Sequence, residues 1–241
     1  MVFKAAEAGT GTRRYRTLAW LSLYAAAMAY LEAAVVVYLR RIHYPGNMLS
    51  LFPLKVWSSA DLLIEVGREA ATVIMILAAS ALAARGGVRM FAAFAFIFGL
   101  WDILYYAWLK VLIGWPVSWF EWDILFLIPW AWLGPWLAPA AVAALLAAWG
   151  GWVLGADPPC RFGLWSGGMF VAGILLVLTS FLGPAYPLLG QETEAVTSFR
   201  PGAFQWGVFG AGGALMAAGL LATLSGSLPE SSSDRHFPGC R

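Results

Sequence analysis

Charged residues, cysteine and histidine are all scarce in this chain. Of its 241 residues, 12% are charged and 61% are hydrophobic, against about 25% and about 45–50% in an average soluble domain. The two cysteines, Cys160 and Cys240, lie far apart, which excludes a disulfide framework and a Cys-x-x-Cys motif. Both histidines, His43 and His236, fall outside the apolar stretches. A bis-His haem buried in a membrane and a His-rich metal site are therefore excluded.

Several functional signatures are missing as well. The formal net charge is +2 and no basic run is long, so nucleic acid is not an expected partner. The sequence has no nucleotide-binding loop, no nucleophile elbow, no Ser-His-Asp order and no His-Glu-x-x-His motif. These absences leave open whether the protein is an enzyme.

What the chain has in abundance is long apolar sequence. Six stretches have the roughly 20 mostly apolar residues that a helix needs to cross a membrane. The fourth contains Pro129, Pro135 and Pro139, so we expect it to be kinked or to open with a short interfacial helix. The fold class predicted is all-α, a polytopic membrane bundle of about six transmembrane helices in one domain, residues 1–225. The six spans lie near residues 17–39, 61–84, 87–112, 123–154, 163–183 and 203–225, before a short polar tail at 226–241.

Orientation follows from the positive residues near the span ends. If the N-terminus is inside, nine Lys and Arg residues fall on the inner side and five on the outer side. Because cytoplasmic loops carry an excess of positive charge, this favours N-in and C-in. We expect a multi-pass protein of the plasma or inner membrane, with lipid as its immediate partner. The first apolar stretch runs from Leu18 to Leu39, which fits a retained span better than a cleaved signal peptide.

Five ionisable residues interrupt the first three apolar stretches. Each costs roughly 2.5–3.5 kcal/mol at the centre of a membrane helix, so chance accumulation is a poor explanation. Their positions predict that all five lie between the outer interface and the midplane. Tyr105 and Tyr106 follow Asp102 by three and four residues, so a phenol can reach that carboxyl or its ligand. The predicted pocket residues are Glu32, Glu65, Arg68, Glu69, Asp102, Tyr105 and Tyr106.

The charges of this set do not balance. Four carboxylates face one arginine, and a net charge of minus three is costly in a low dielectric. Protonation, snorkelling by Arg40, Arg41 or Lys110, or a divalent cation held by oxygen ligands would each compensate. A metal site would use Glu32, Glu65, Glu69 and Asp102. Alternatively, the charges form fixed pairs that hold the bundle together.

Three further residues lie at the predicted outer mouth of the pocket. His43 is the one ring nitrogen available on that side, and Glu121 and Asp123 are expected to be solvated interface residues. Residues 40–60 are too apolar for a simple loop, which predicts a re-entrant segment or an interfacial lid over the pocket. The string Trp-Asp-Ile-Leu occurs at 101–104 and again at 122–125, too short a match for a structural repeat.

Spans five and six carry no charge and many small residues at four-residue spacing. Examples are Gly163 with Gly167, Gly168 with Ala172, Gly207 with Ala211, and Gly210 with Ala214. Such spacing lets helix backbones approach closely. It predicts tight packing within the molecule, or an interface with a second copy or a membrane-complex partner.

Three long strings also resemble a known family. They are VGREAATVIMILA at 66–78, FGLWDILYYAWLKVLIGWP at 98–116 and WDILFLIPWAWLGPWLAP at 122–139. Over roughly residues 28–145 the chain resembles an uncharacterised family of small bacterial and archaeal polytopic membrane proteins. That family carries no assigned activity, so the resemblance implies a membrane fold and no function.

Three functions remain open at this point. The first is a membrane-embedded site, reached from outside, for a cation or for protons coupled to a small solute. The second is an intramembrane enzyme acting on a lipid or isoprenoid, with a carboxylic acid as general acid or base and Arg68 holding an anionic head group. The third is a non-catalytic subunit or assembly factor of a larger membrane complex.

Overall fold

Most of the chain is helical. The computed structural model describes the backbone of residues 2–225 and the side chains of residues 12–224. The predicted polar tail, residues 226–241, lies outside the described residues. The elements in chain order are α1 (Val2–His43), α2 (Ser59–Ala83), α3 (Gly87–Ile113), β1 (Trp122–Phe126), β2 (Trp132–Pro135), α4 (Leu137–Ala156), α5 (Leu164–Leu182), a 3₁₀ helix (Gly183–Leu188), α6 (Thr193–Ser198) and α7 (Trp206–Ser225).

Five helices within the described residues are long and apolar enough to cross a membrane. They are Thr12–His43, Gly87–Ile113, Leu137–Ala156, Leu164–Leu188 and Trp206–Leu224. This result supports a polytopic membrane protein. The remaining long helix, α2, has 25 residues and carries Asp61, Glu65, Arg68 and Glu69 in its first half.

The fourth predicted span, near residues 123–154, is wrong before Leu137. The prediction of a helical bundle is confirmed for most of the described chain, and residues 122–135 are the exception. This segment is an antiparallel hairpin in which β1 pairs with β2, with an irregularity between Ile124 and Phe126. The three prolines explain the difference. Pro129 lies between the strands and Pro135 ends β2. Pro139 lies in the first turn of α4, where backbone N–H groups have no partner within the helix, so a proline is tolerated there. The helix therefore begins only at Leu137.

Glycines bring the helices together in two close pairs. A Cβ added at Gly99 of α3 would lie 2.2 Å from the backbone oxygen of Ala143 in α4. A Cβ at Gly173 of α5 would lie 2.6 Å from the backbone oxygen of Gly212 in α7. Both distances are far below normal contact. Backbone therefore packs on backbone in α3–α4 and in α5–α7, as membrane helices with small residues allow.

The glycines at these close contacts differ from the small residues that the four-residue spacing in the sequence predicts to pack. At Gly167, Gly168, Gly207 and Gly210 an added Cβ would meet no atom within 4 Å in the described structure. The prediction that these residues pack inside the molecule is wrong, because they lie on the outer faces of α5 and α7. An interface with a second copy or another protein stays a prediction.

The two ends of the bundle differ. At one end, Asp157 follows α4 and pairs with Arg14 of α1 and Arg89 of α3. At the other end α1 and α3 finish and the hairpin, the 3₁₀ helix and α6 lie; we call this the hairpin end. The segment between α1 and α2, residues 44–58, also lies there and has no helical turns before Ser59.

Candidate functional site

A cavity of about 390 Å³ lies at the hairpin end. This volume is in the range of small-molecule sites, about 300–1,000 Å³. Its wall combines α1, α2, α3, the hairpin, the segment 44–58 and residues from 185 to 196. The seven residues predicted for the pocket all line it, and so does Asp123. The predicted residues in the wall are Glu32, Glu65, Arg68, Glu69, Asp102, Tyr105, Tyr106 and Asp123.

Arg68 joins two helices at the floor of this cavity. Its Nη2 and Nε donate to the two carboxylate oxygens of Glu65, at 2.5 and 3.0 Å. Its Nη1 donates to Oε2 of Glu32 on α1. A guanidinium presents its N–H groups in a fixed plane, so one arginine can serve both carboxylates. The pairs tie α2 to α1 and leave the group with one surplus negative charge.

Glu69 joins α2 to the hairpin. Its Oε2 accepts the backbone N–H of Leu127 at 2.9 Å. Glu65 and Glu69 belong to the buried face of α2, which continues through Thr72, Ile76 and Ser80. These residues recur every three or four positions, the spacing of one helix face. The polar half of that face therefore looks into the cavity.

Asp123 is buried, contrary to the prediction of a solvated interface residue. It is 2% exposed, and its Oδ1 accepts from Nη2 of Arg40 at 3.3 Å. Arg40 also donates to the backbone oxygen of Met48 and lies 4.1 Å from the centre of the Trp115 ring. Burial raises the pKa of Asp123 to about 6, although Arg40 and other donors lower it. The strand pairing of β1 places this carboxyl inside, which its position near a span end did not reveal.

Asp102 differs from the other acids in its contacts. Its Oδ2 is buried and has no hydrogen-bond partner in the described part of the chain. Negative charge on Asp123 and Glu32 acts on it. Tyr106 interacts with Asp123, and the rings of Tyr105 and Tyr106 meet edge to face with centroids 4.9 Å apart.

Two of the three predicted mouth residues lie away from the cavity wall. The ring of His43 stacks on Trp57, with centroids 4.7 Å apart. Glu121 accepts the backbone N–H of Val117 at 3.3 Å. Neither contact needs a ligand, so both are explained by local structure. The availability of the His43 ring nitrogen to a metal or to proton transfer stays a prediction, and Glu121 was expected only to be a solvated residue.

The segment 44–58 forms part of the cavity wall. Leu51 and Leu54 are buried, and the hydroxyl of Tyr44 accepts the backbone N–H of Lys55 at 3.3 Å. Burial raises the pKa of Tyr44. The segment therefore lines the cavity, and its roles as an interfacial lid or as a re-entrant segment stay predictions.

The carboxylates near Arg68 already accept hydrogen bonds from protein donors. Glu32 and Glu65 pair with Arg68, and Glu69 binds a backbone N–H. Among the described residues, no group of three or more His, Cys, Asp or Glu side chains is placed to hold a metal ion. A divalent cation at Glu32, Glu65, Glu69 and Asp102 stays a prediction.

The sequence patterns missed Trp101 as part of this wall. It is 8% exposed, and its Nε1 has no hydrogen-bond partner within the described residues. The sequence did contain a signal for it: the Trp-Asp-Ile-Leu string occurs twice, and its two aspartates, Asp102 and Asp123, line the same cavity. Arg40 was named only as a snorkelling side chain, whereas it is a buried ion-pair partner. Lys110, named with it, instead donates to the backbone oxygens of Gly114 and Pro116.

Comparison of the chain with protein-family models, curated proteins and solved structures found no match.

Proposed function

We propose that this is a six-span membrane protein whose cavity binds a cation or protons together with a small solute. In this proposal α2 is the sixth span, and the protein lies N-in and C-in in the plasma or inner membrane. The observation that supports it is the surplus of carboxyl groups around one cavity.

The surplus persists when every basic group of the wall is counted. The wall contains the carboxyl groups of Glu32, Glu65, Glu69, Asp102 and Asp123. Against these five stand Arg40, Arg68 and the exposed Lys55 at the rim, so two negative charges remain. Uncompensated charge in a low dielectric is costly, and bound protons or a bound cation would remove that cost.

The cavity is supported as a binding site rather than as a pore. On α3, residues 91–100 run from below Asp102 toward the opposite end of the bundle and contain no ionisable side chain. A polar path on α3 therefore stops at Asp102. Because the opposite end carries Arg14, Arg85 and Arg89, the positive-inside rule supports access from the outer side.

The two other hypotheses have less support. An enzyme acting on an anionic lipid was expected to use Arg68 as the head-group ligand, but that guanidinium already binds Glu32 and Glu65. A subunit role rests on the open small-residue faces of α5 and α7.

Thermal unfolding in detergent, from about pH 4.5 to 8, tests the proposal. The folded pKa of Asp123 lies above its ordinary value of 3.8, so the folded state binds its proton more tightly than the unfolded chain does. This stabilisation is present at low pH and is lost as the pH rises through about 6. We therefore expect Tm to fall over this range and a bound cation to restore it near pH 7.5.

The matched variants are Asp123→Asn and Glu121→Gln. Both remove a carboxylate from the same hairpin region, but only Asp123 lines the cavity. Asp123→Asn should reduce the fall in Tm with rising pH, because it removes one of the five carboxyl groups of the wall, and Glu121→Gln should leave that fall unchanged. A wild-type Tm that is indifferent to pH and to Na⁺, K⁺, Ca²⁺, Mg²⁺, Mn²⁺ and Zn²⁺ would refute the proposal.

A further inference from the structure

Two carboxylate oxygens of the cavity have no hydrogen-bond donor. They are Oδ2 of Asp102 and Oδ2 of Asp123, and neither has a partner among the described residues. Asp123 is 2% exposed, so bulk water does not reach most of its surface. Buried carboxylate oxygens normally accept hydrogen bonds, and an acceptor left without a donor is costly. Asp123 as a whole also receives donors from Arg40, Tyr106 and the backbone N–H of Ile124, whereas no donor in the described part of the chain acts on Asp102. The need for a further donor is therefore greatest at Asp102.

The negative charge of Asp123 also acts unfavourably on a negative Asp102. The nearby guanidinium groups already pair with carboxylates, and only Nε of Arg40 has no hydrogen-bond partner among the described residues. Arg68 is shared between Glu32 and Glu65, and Arg40 binds Oδ1 of Asp123 and lies against Trp115. A ligand that carries both a positive charge and N–H donors would satisfy the two free oxygens and relieve the repulsion.

The rest of the wall suits an organic cation better than a bare metal ion. Aromatic rings surround the acids, among them Trp101, Tyr105, Tyr106 and Trp130, and much of the remaining wall is leucine and valine. Aromatic faces attract organic cations, and apolar walls bind an apolar body. Trp101 offers an unpaired N–H besides, which an oxygen atom on the ligand would accept.

We infer that the solute is a protonated organic amine with an apolar, ring-sized body, whose N–H groups donate to Oδ2 of Asp102 and Oδ2 of Asp123. This inference rests on the proposed function, of which it names the solute class. The ammonium supplies the positive charge that the carboxyl surplus requires. The apolar body lies against the aromatic rings and toward Leu51 and Leu54 of the segment 44–58.

A series of four probes with the same phenylethyl body separates the contributions. The probes are 2-phenylethylammonium, its N-trimethyl derivative, 2-phenylethanol and 3-phenylpropionate, measured by calorimetry on the full chain in lipid nanodiscs near pH 7. We expect the primary ammonium to bind best, about tenfold or more tighter than the trimethyl form, which keeps the charge and loses the N–H donors. The alcohol should bind more weakly still, and the carboxylate should not bind. Equal binding of the alcohol and the ammonium would overturn the inference.

Variants test the location. Asp102→Asn and Asp123→Asn should each weaken 2-phenylethylammonium binding about tenfold or more, whereas Glu121→Gln should not change it. The wild-type probe series decides the solute class even where a variant does not fold. If no probe binds but Tm still responds to pH or to metal cations, this inference fails and the proposed function stands. If neither response is seen, both fail.

Discussion

At the scale of single residues, Arg68 determines how the acids of the cavity are arranged. It is 22% exposed at its side chain, and its two partners, Glu32 and Glu65, are 13% and 9% exposed. Pairs this poorly solvated are screened weakly, so the loss of one partner leaves charge with little water to stabilise it. Glu69 differs, because its partner is a neutral backbone N–H.

This contrast gives a prediction for Arg68→Met. The change keeps much of the apolar stem and removes the charge, leaving Glu32 and Glu65 unpaired. We expect a loss of about 3 kcal/mol in the free energy of unfolding, the usual consequence of breaking a buried pair. Unfolding in a mixed-micelle denaturant series, monitored by tryptophan fluorescence, would measure it.

Glu69→Gln is the matched control for Arg68→Met. The amide oxygen of Gln can still accept the N–H of Leu127, so stability should be kept or raised. Loss of stability in Glu69→Gln, with none in Arg68→Met, would contradict the assignment of Arg68 as the bridging residue.

At the scale of elements, two glycine-mediated helix pairs form the frame of the molecule. Gly99 and Gly150 bring α3 and α4 together from both sides, and Gly173, Gly212 and Gly219 do the same for α5 and α7. The hairpin connects α3 to α4 and carries Asp123 back to the end of α1. The geometry of the cavity therefore depends on how closely α3 and α4 approach.

Gly99→Ala tests that dependence. The new methyl group would lie 2.2 Å from the oxygen of Ala143 and 2.8 Å from the backbone nitrogen of Ala147, so the helices must separate. Overpacking of this kind costs about 1–3 kcal/mol. A lower Tm and a weaker pH response of the cavity are the expected results.

Gly213→Ala provides the comparison, since an added Cβ there meets no described atom within 4 Å. Alanine favours a helix over glycine by up to about 1 kcal/mol. Gly213→Ala should therefore be neutral or slightly stabilising. If both variants behave alike, close packing of α3 on α4 does not limit stability.

At the scale of the whole molecule, the two ends carry different chemistry. The end marked by Asp157 holds an ion-pair group with Arg14 and Arg89, and the hairpin end holds the cavity and its acids. Because neighbouring helices run antiparallel, the segments that join them and line the cavity lie at the same end of the bundle. In the proposed function, the solute therefore enters from one side of the membrane.

The proposed orientation predicts which end faces outward. In a background with Cys160 and Cys240 replaced by serine, Glu194→Cys lies on exposed α6 at the hairpin end, and Arg85→Cys lies at the opposite end. A membrane-impermeant maleimide added to intact cells should label Glu194→Cys and not Arg85→Cys. Labelling of the two positions in permeabilised cells provides the control. The reverse pattern would place the cavity on the inner side.

Much of this protein could be predicted from local sequence. The apolar stretches predicted the membrane helices because burial in lipid depends on composition over about 20 residues, which a sequence window records. The ionisable residues inside those stretches predicted the pocket side chains, because a charge in an apolar span is costly wherever the helix packs. The structure brings these five residues, together with Tyr105 and Tyr106, to one cavity wall.

Other features depend on contacts between residues far apart in the chain. The hairpin at 122–135 replaces a predicted helix because prolines and strand pairing together outweigh apolar composition. The burial of Asp123 and its pair with Arg40 join residues 83 positions apart, and the packing glycines are selected by the facing helix. The sequence by itself determined that a membrane bundle would carry acids in one half. The tertiary structure alone decided which acids are paired and which oxygens are left free, since pairing depends on distances that the sequence does not encode locally.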